Sequence, residues 1–286
     1  LFLCIISSTL ILVVFRLLNV LKVSTLNAII INYITAAALG LIAGGRSGFN
    51  PFGEEWFMMS VVTGFLFVFM FYVIGYSARV AGITLTSLTT KLSVVIPVLF
   101  SILVFGEHLS ILKVAGMILA VAAIVMIVYR PRKQEGTVVS IRRMLWLPAT
   151  LFFGAGFIDS LIKYSQEVYV GNDEILAFSA TTFMAAALTS IILRLTGKYE
   201  NEENRWYNLA IGGVALGVVN FGSLYFLVMA LESDKLASSI IFGINNIGVV
   251  MLSVVTGMFF FGEKTTTLNK AGIALAIVSI MMLFYS

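Results

Sequence analysis

Residues 105–129 read FGEHLSILKVAGMILAVAAIVMIVY, and residues 261–285 read FGEKTTTLNKAGIALAIVSIMMLFY. Set 156 positions apart (261 − 105), Phe105-Gly106-Glu107 falls on Phe261-Gly262-Glu263, Leu112 on Leu268, Ala115-Gly116 on Ala271-Gly272, Leu119-Ala120 on Leu275-Ala276 and Tyr129 on Tyr285. So many matches in one window exceed what a shared apolar bias supplies. A weaker echo pairs Ala36-Ala37-Ala38-Leu39 with Ala185-Ala186-Ala187-Leu188 at an offset of 149 (185 − 36). The longer connection at 195–206 absorbs the difference between the two offsets. The chain therefore reads as two copies of one unit, each closing with a Gly-Glu turn and an apolar helix.

Outward from these turns the copies consist of continuous apolar runs, separated by short polar breaks such as 45–51, 171–174 and 232–235. The runs predict spans at about 1–19, 25–44, 56–78, 83–105, 110–129, 145–165, 174–195, 206–230, 236–260 and 267–285, each near the ~20 residues a membrane helix needs. Helices are the default because lipid offers backbone groups no partners, and uninterrupted runs do not suit a β-barrel. The expected fold is all-α and integral to the membrane, with ten transmembrane helices. It divides into a five-helix repeat over 1–129, a basic connection over 130–144 and a second five-helix repeat over 145–286. Five is odd, so the second copy enters from the opposite side, the inverted-repeat plan of many secondary transporters.

Composition agrees. Of the 286 residues 60% are hydrophobic and 11% charged, with a mean hydropathy of +1.04, whereas soluble domains carry about 25% charged residues. A soluble enzyme, a disordered chain and a nucleic-acid binder are excluded. Cys4 is the sole cysteine and His108 the sole histidine, which argues against a disulfide framework, a thiolate cluster, paired-histidine haem ligation or a histidine metal site. No Gly-x-x-x-x-Gly-Lys-Ser/Thr loop is present, and no nucleophile–base set stands out. Neither enzymatic activity nor a cofactor is expected. The expected setting is a multi-pass protein of a bacterial inner membrane. Its partners would be the lipid bilayer, a small-molecule substrate and a candidate coupling proton, but no nucleic acid. Oligomeric state is left open.

In each half a helix is followed by Phe-Gly-Glu, a few residues, Ala-Gly and a closing helix. This pattern resembles the EamA-type, ten-helix branch of the drug/metabolite transporter superfamily. The resemblance covers the whole chain in helix count and repeat, and its sequence-specific part is 105–129 and 261–285. It implies transport of small solutes, often metabolite export, through a cavity lined by the first, third, fourth, sixth, eighth and ninth helices, with the fifth and tenth as scaffold.

Polar residues inside the spans are the candidate site. Lys91 lies about 12 Å into the fourth helix, where a lysine costs roughly 3 kcal/mol on insertion scales. It is expected to face the interior and engage an anionic group, against a structural ion pair or snorkelling. Asp159 lies about 20 Å along the sixth helix from Trp146 and is expected to meet an ammonium, a proton or Lys91. Its alternative is a helix pair with Lys163. Asn245 and Asn246 fall on Thr89 and Thr90 at the 156 offset, putting adjacent polar residues at one depth in both copies, and one of the two is expected to face the cavity. Tyr72, Asn32 and Asn220 are secondary candidates, beside Tyr76 and Tyr225, with packing the commoner role for Asn220.

Gly106 and Gly262 suit helix C-termini. Glu107 and Glu263 are expected to accept hydrogen bonds from the N-terminus of the helix that follows each, as structural rather than transport residues. Pro97 is expected to kink the fourth helix, and its counterpart at the 156 offset is Ser253.

The reading that absorbs these features is a secondary active transporter for a small polar or amphipathic metabolite, amino-acid-like by its paired charges, working by alternating access. An organic-anion or sugar-phosphate exchanger is the alternative substrate class, and a non-transporting scaffold or sensor the alternative function. Orientation divides the warrants. Arg16, Lys22, Arg79, Arg130, Arg132, Lys133, Arg142, Arg143, Arg194, Lys198, Arg205, Lys264 and Lys270, thirteen in all, fall on one side, against Arg46, Lys113, Lys163 and Lys235. The charge rule puts the 130–144 connection in the cytoplasm, whereas the resemblance implies cytoplasmic termini.

Overall fold

The computed structural model describes residues 1–43, 50–106, 110–128, 141–171, 174–196, 206–231 and 238–284. Among them, helices α1 (Phe2–Val20), α2 (Thr25–Ala43), α3 (Phe57–Val80), α4 (Ile83–Leu92), α5 (Val95–Phe105), α6 (Ile111–Val128), α7 (Ile141–Val168), α8 (Ile175–Thr196), α9 (Trp206–Leu231), α10 (Ser238–Phe261) and α11 (Thr267–Phe284) follow one another, with a short 3-10 turn at Pro51–Gly53. Boundaries fall within a few residues of those read from the apolar runs. Eight spans among the described residues are long and apolar enough to cross a membrane, α4 and α5 counting as one. The surface suits lipid: Leu103 and Phe260 are each 82% exposed. The protein is an all-helical, multi-pass membrane protein.

Two apolar cores hold the helices together, each drawn from both ends of the sequence. One joins α1, α2, α3, α8 and α9 through Phe15, Ile29, Tyr33, Val68, Phe183 and Leu216. The other joins α4, α5, α6, α10 and α11 through Leu88, Leu92, Val95, Ala120, Val250 and Ile280. α7 packs on α3 through Leu151, Ile158 and Met70. Between the two cores α1, α4 and α10 meet, with α7 against α4.

Small residues set the close approaches. A Cβ on Gly64 of α3 would stand 2.6 Å from the Thr182 carbonyl of α8, and one on Gly217 of α9 would stand 2.6 Å from the Asn32 carbonyl of α2. Polar contacts gather the basic connections at one end of the bundle. Arg16 donates to the Ala78 carbonyl at 3.0 Å and to that of Arg79. Arg194 Nε donates to Asn27 Oδ1 at 3.1 Å, and Asn269 Nδ2 to the Met126 carbonyl at 3.1 Å.

Candidate functional site

α4 is enclosed by protein. Ile83, Thr84, Leu85, Thr86, Ser87, Leu88 and Thr89 are all buried, whereas Thr90 and Lys91 are partly accessible. The helix stops just beyond them. Pro97 has no N–H for the Ser93 carbonyl, and its ring crowds that oxygen. α4 accordingly ends at Leu92 and α5 begins at Val95, with the Ile96 N–H turned back to Ser93 O at 2.9 Å and Ser93 Oγ donating to the Thr90 carbonyl at 2.6 Å. The kink expected from Pro97 is a two-residue turn at Ser93–Val94, both still right-handed, just after Lys91.

α7 brings in the second charge. Phe153 and Phe157 are exposed on its outer face. Asp159, two residues beyond Phe157 and so about 200° round the helix, is exposed as well. It lies on the face of α7 away from Phe157. α7 can lie close here because it carries Gly156, where a Cβ would stand 2.5 Å from Ile96 Cδ1 of α5. Lys91 and Asp159 are within electrostatic reach of each other. Among the described residues neither side chain has a hydrogen bond or direct ion pair. The charge that acts on Asp159 is that of Lys91, one helix away.

α10 closes the group. Asn245 is buried, and its Oδ1 lies 3.1 Å from the Cys4 sulfur, which also stands 3.1 Å from the Ser223 carbonyl of α9. Cys4 in turn lies within the field of Lys91. Asn246 shares a face with Val250, Ser253 and Gly257, all buried, yet is itself partly accessible. Both asparagines belong to the interior: Asn245 is bonded to Cys4, and Asn246 is the accessible one. Cys4 and Ser223 were not singled out from the sequence, because a thiol and a serine in apolar runs carry no pattern that marks them.

The remaining candidates lie elsewhere. Asn220 Nδ2 donates to Asn32 Oδ1 at 3.1 Å, a buried bond between α9 and α2. Tyr72 is 48% exposed. It continues the exposed stripe Met58, Val62, Phe65 and Phe69 of α3 at intervals of three and four residues, which is an outward apolar face rather than the interior. Tyr76 lies on the same stripe, its ring 6.2 Å from that of Trp146. Tyr225 stacks on Phe221 at 5.5 Å.

The turn residues behave as expected in part. Gly106 and Gly262 adopt left-handed conformations, φ +66° and +61°, at the ends of α5 and α10. Glu263 differs from expectation in its target. Its Oε1 accepts from the Ile83 N–H at 2.6 Å and its Oε2 from the Thr84 N–H at 3.2 Å. It caps α4 rather than the following helix, because Asn269 and Thr266 already serve α11: Asn269 Oδ1 accepts from the Thr266 N–H at 3.1 Å, and Thr266 Oγ1 from the Asn269 N–H at 3.2 Å. Glu107 lies outside the described residues.

Taken together these features define a multi-pass membrane protein with charged and amide groups gathered inside its helix bundle. The chain belongs to the same family as an uncharacterized protein of Haemophilus influenzae, with which it is 30% identical over 223 residues, 78% of this chain and 73% of that protein. No family profile matches it. A crystal structure of another protein superposes on 98% of this chain and 97% of its own, with a TM-score of 0.57 and 14% identity, a likeness of fold alone.

Proposed function

We propose that this protein is a ten-helix secondary transporter of the EamA type, built from two inverted five-helix repeats, that moves a small amino-acid-like metabolite by alternating access. The repeat reading is supported by the pattern of neighbours. Numbering spans by taking α4 and α5 as one, exchange of each span with its counterpart five places on converts α2 on α9 into α8 on α3, and α1 on α10 into α7 on α4 and α5; these contacts all occur. α6 packs on α11 and α2 on α8, pairs that the exchange maps onto themselves. Gly64 and Gly217 make equivalent approaches in the exchanged pairs, at offsets of 153 (217 − 64) and, for their partners, 150 (182 − 32).

The observation that carries the functional reading is the pair Lys91 and Asp159 on neighbouring helices, unbonded and within electrostatic reach of one another. Charges within a membrane are costly and mark substrate or ion pathways. A zwitterion satisfies both: its carboxylate meets the Lys91 ammonium, and its ammonium meets Asp159. Asn246 offers a neutral amide with both donor and acceptor. The contributing helices α1, α4, α7, α9 and α10 are the first, fourth, sixth, eighth and ninth spans, as the family resemblance implies. Substrate exchange or a proton on Asp159 would drive the cycle.

A thermal-shift screen of purified protein against amino acids, organic anions and sugar phosphates tests the class. The expected result is stabilisation by zwitterions that disappears in Lys91→Ala. Stabilisation by anions alone would favour the exchanger, and no stabilisation by any solute would favour a scaffold.

A further inference from the structure

The first two turns of α4 lie between the basic end of the bundle and Lys91, buried on every face. They are held at both ends in unusual ways. At the inner end the regular helix gives way to a two-residue turn at Ser93–Val94 ahead of Pro97, so α4 is a ten-residue rod set off from α5. At the outer end the rod begins at Gly82, φ +96°, and its first two N–H groups are taken by the Glu263 carboxylate, which belongs to the other half of the chain. Glycines make room for that carboxylate. A Cβ on Gly82 would collide with Oε1, and one on Gly257 would stand 2.6 Å from Oε2. Arg16 braces the same end, donating to the last turn of α3 while its guanidinium lies 5.9 Å over the Phe261 ring of α10. Immediately outside is an open cavity of about 270 Å³ lined in part by Arg16, Thr84, Glu263, Lys264 and Thr265.

We infer that Glu263 is the latch of a gate at the basic end, and that α4 is the gate itself. The carboxylate clamps the α4 N-terminus against the α10–α11 turn, where bonds from a charged acceptor to a helix N-terminus are strong. When it lets go, the rod tilts about the Ser93–Val94 break and joins the outer cavity to the space around Lys91. The break follows Lys91 by two residues, so occupancy of Lys91 is mechanically adjacent to the hinge. Glu263, read from sequence as a turn residue, thereby joins the two halves in one state of the cycle. This inference rests on the alternating-access reading.

The test is labelling rather than transport. In a Cys4→Ser background reconstituted in liposomes, a cysteine is placed at Ser87, one turn behind the latch and 1% exposed, or at Lys264, outside it and exposed. Each is treated with a membrane-impermeant maleimide from the side on which Lys264→Cys reacts. Glu263→Gln is expected to speed modification of Ser87→Cys at least fivefold and leave Lys264→Cys unchanged. Gly257→Ala, which displaces the carboxylate without removing its charge, is the second variant and is expected to act in the same direction. Monodisperse elution of each variant is required before its rates are compared. Equal Ser87→Cys rates with and without Glu263 overturn the latch, even if Lys91-dependent transport is found. Faster labelling in a protein that transports nothing keeps the latch and overturns the transporter.

Discussion

Lys91 keeps a charge inside a membrane bundle with no bonded counter-ion among the described residues, a cost of roughly 3 kcal/mol on insertion scales that packing alone does not require. Asp159 is its counterpart, and the account makes it the protonatable partner. Asp159→Asn removes the titration, so the pH profile of transport is expected to flatten relative to wild type; an unchanged profile in a flux assay across pH 5–8 would take Asp159 out of coupling. Asn32 and Asn220 play another part. A double-mutant cycle with alanine at both is expected to return a coupling of about 0.6 kcal/mol in thermal or denaturant unfolding, with transport by either single variant largely preserved. The depth of Lys91 and Asp159 was readable by counting residues along apolar runs. That they come within electrostatic reach of one another was not, because it depends on how helices distant in the chain pack. The Asn32–Asn220 bond spans 188 residues and the Cys4–Asn245 contact 241, and no local pattern announces either.

At the level of single helices, the ends were legible because glycine and proline act locally. Gly106 and Gly262 end α5 and α10 in left-handed turns, and Pro97 interrupts its helix four residues upstream, where the missing N–H and crowded carbonyl fall. What Glu263 binds was not legible, since its target lies 180 residues away, and the sequence offers only Gly82 as an unexplained glycine at the start of a helix. Helix-to-helix approaches give a sharper prediction. Gly217→Ala places a methyl against the Asn32 carbonyl and Thr35, and backbone cannot yield as a flexible side chain can. The variant is expected to lose about 1–3 kcal/mol, read as a lowered unfolding midpoint, whereas Gly53→Ala, with nothing within 4 Å, is expected to leave it unchanged.

Over the whole molecule, the structure gathers α1, α3, α8 and α10 C-termini with α2, α4 and α11 N-termini at one end, through Arg16, Arg194, Glu263 and Asn269. Among the described residues, Arg16, Lys22, Arg79, Arg194, Lys264 and Lys270 of the basic set lie at or beside these ends. The positive-inside rule predicts that this end is cytoplasmic, against the cytoplasmic termini that the family resemblance implies. A cysteine at Gly136 in a Cys4→Ser background is then expected to resist an impermeant thiol reagent in intact cells and react after permeabilisation; reaction in intact cells would reverse the orientation. The central claim is that Lys91 belongs to a transport site. Purified wild type and Lys91→Ala, reconstituted side by side in liposomes and supplied with one defined mixture of amino acids and organic acids, can be compared by mass spectrometry of the lumen. The account predicts that at least one zwitterionic solute enters with wild type and that its entry falls to the protein-free level with Lys91→Ala. Equal lumen contents for the two proteins would contradict it.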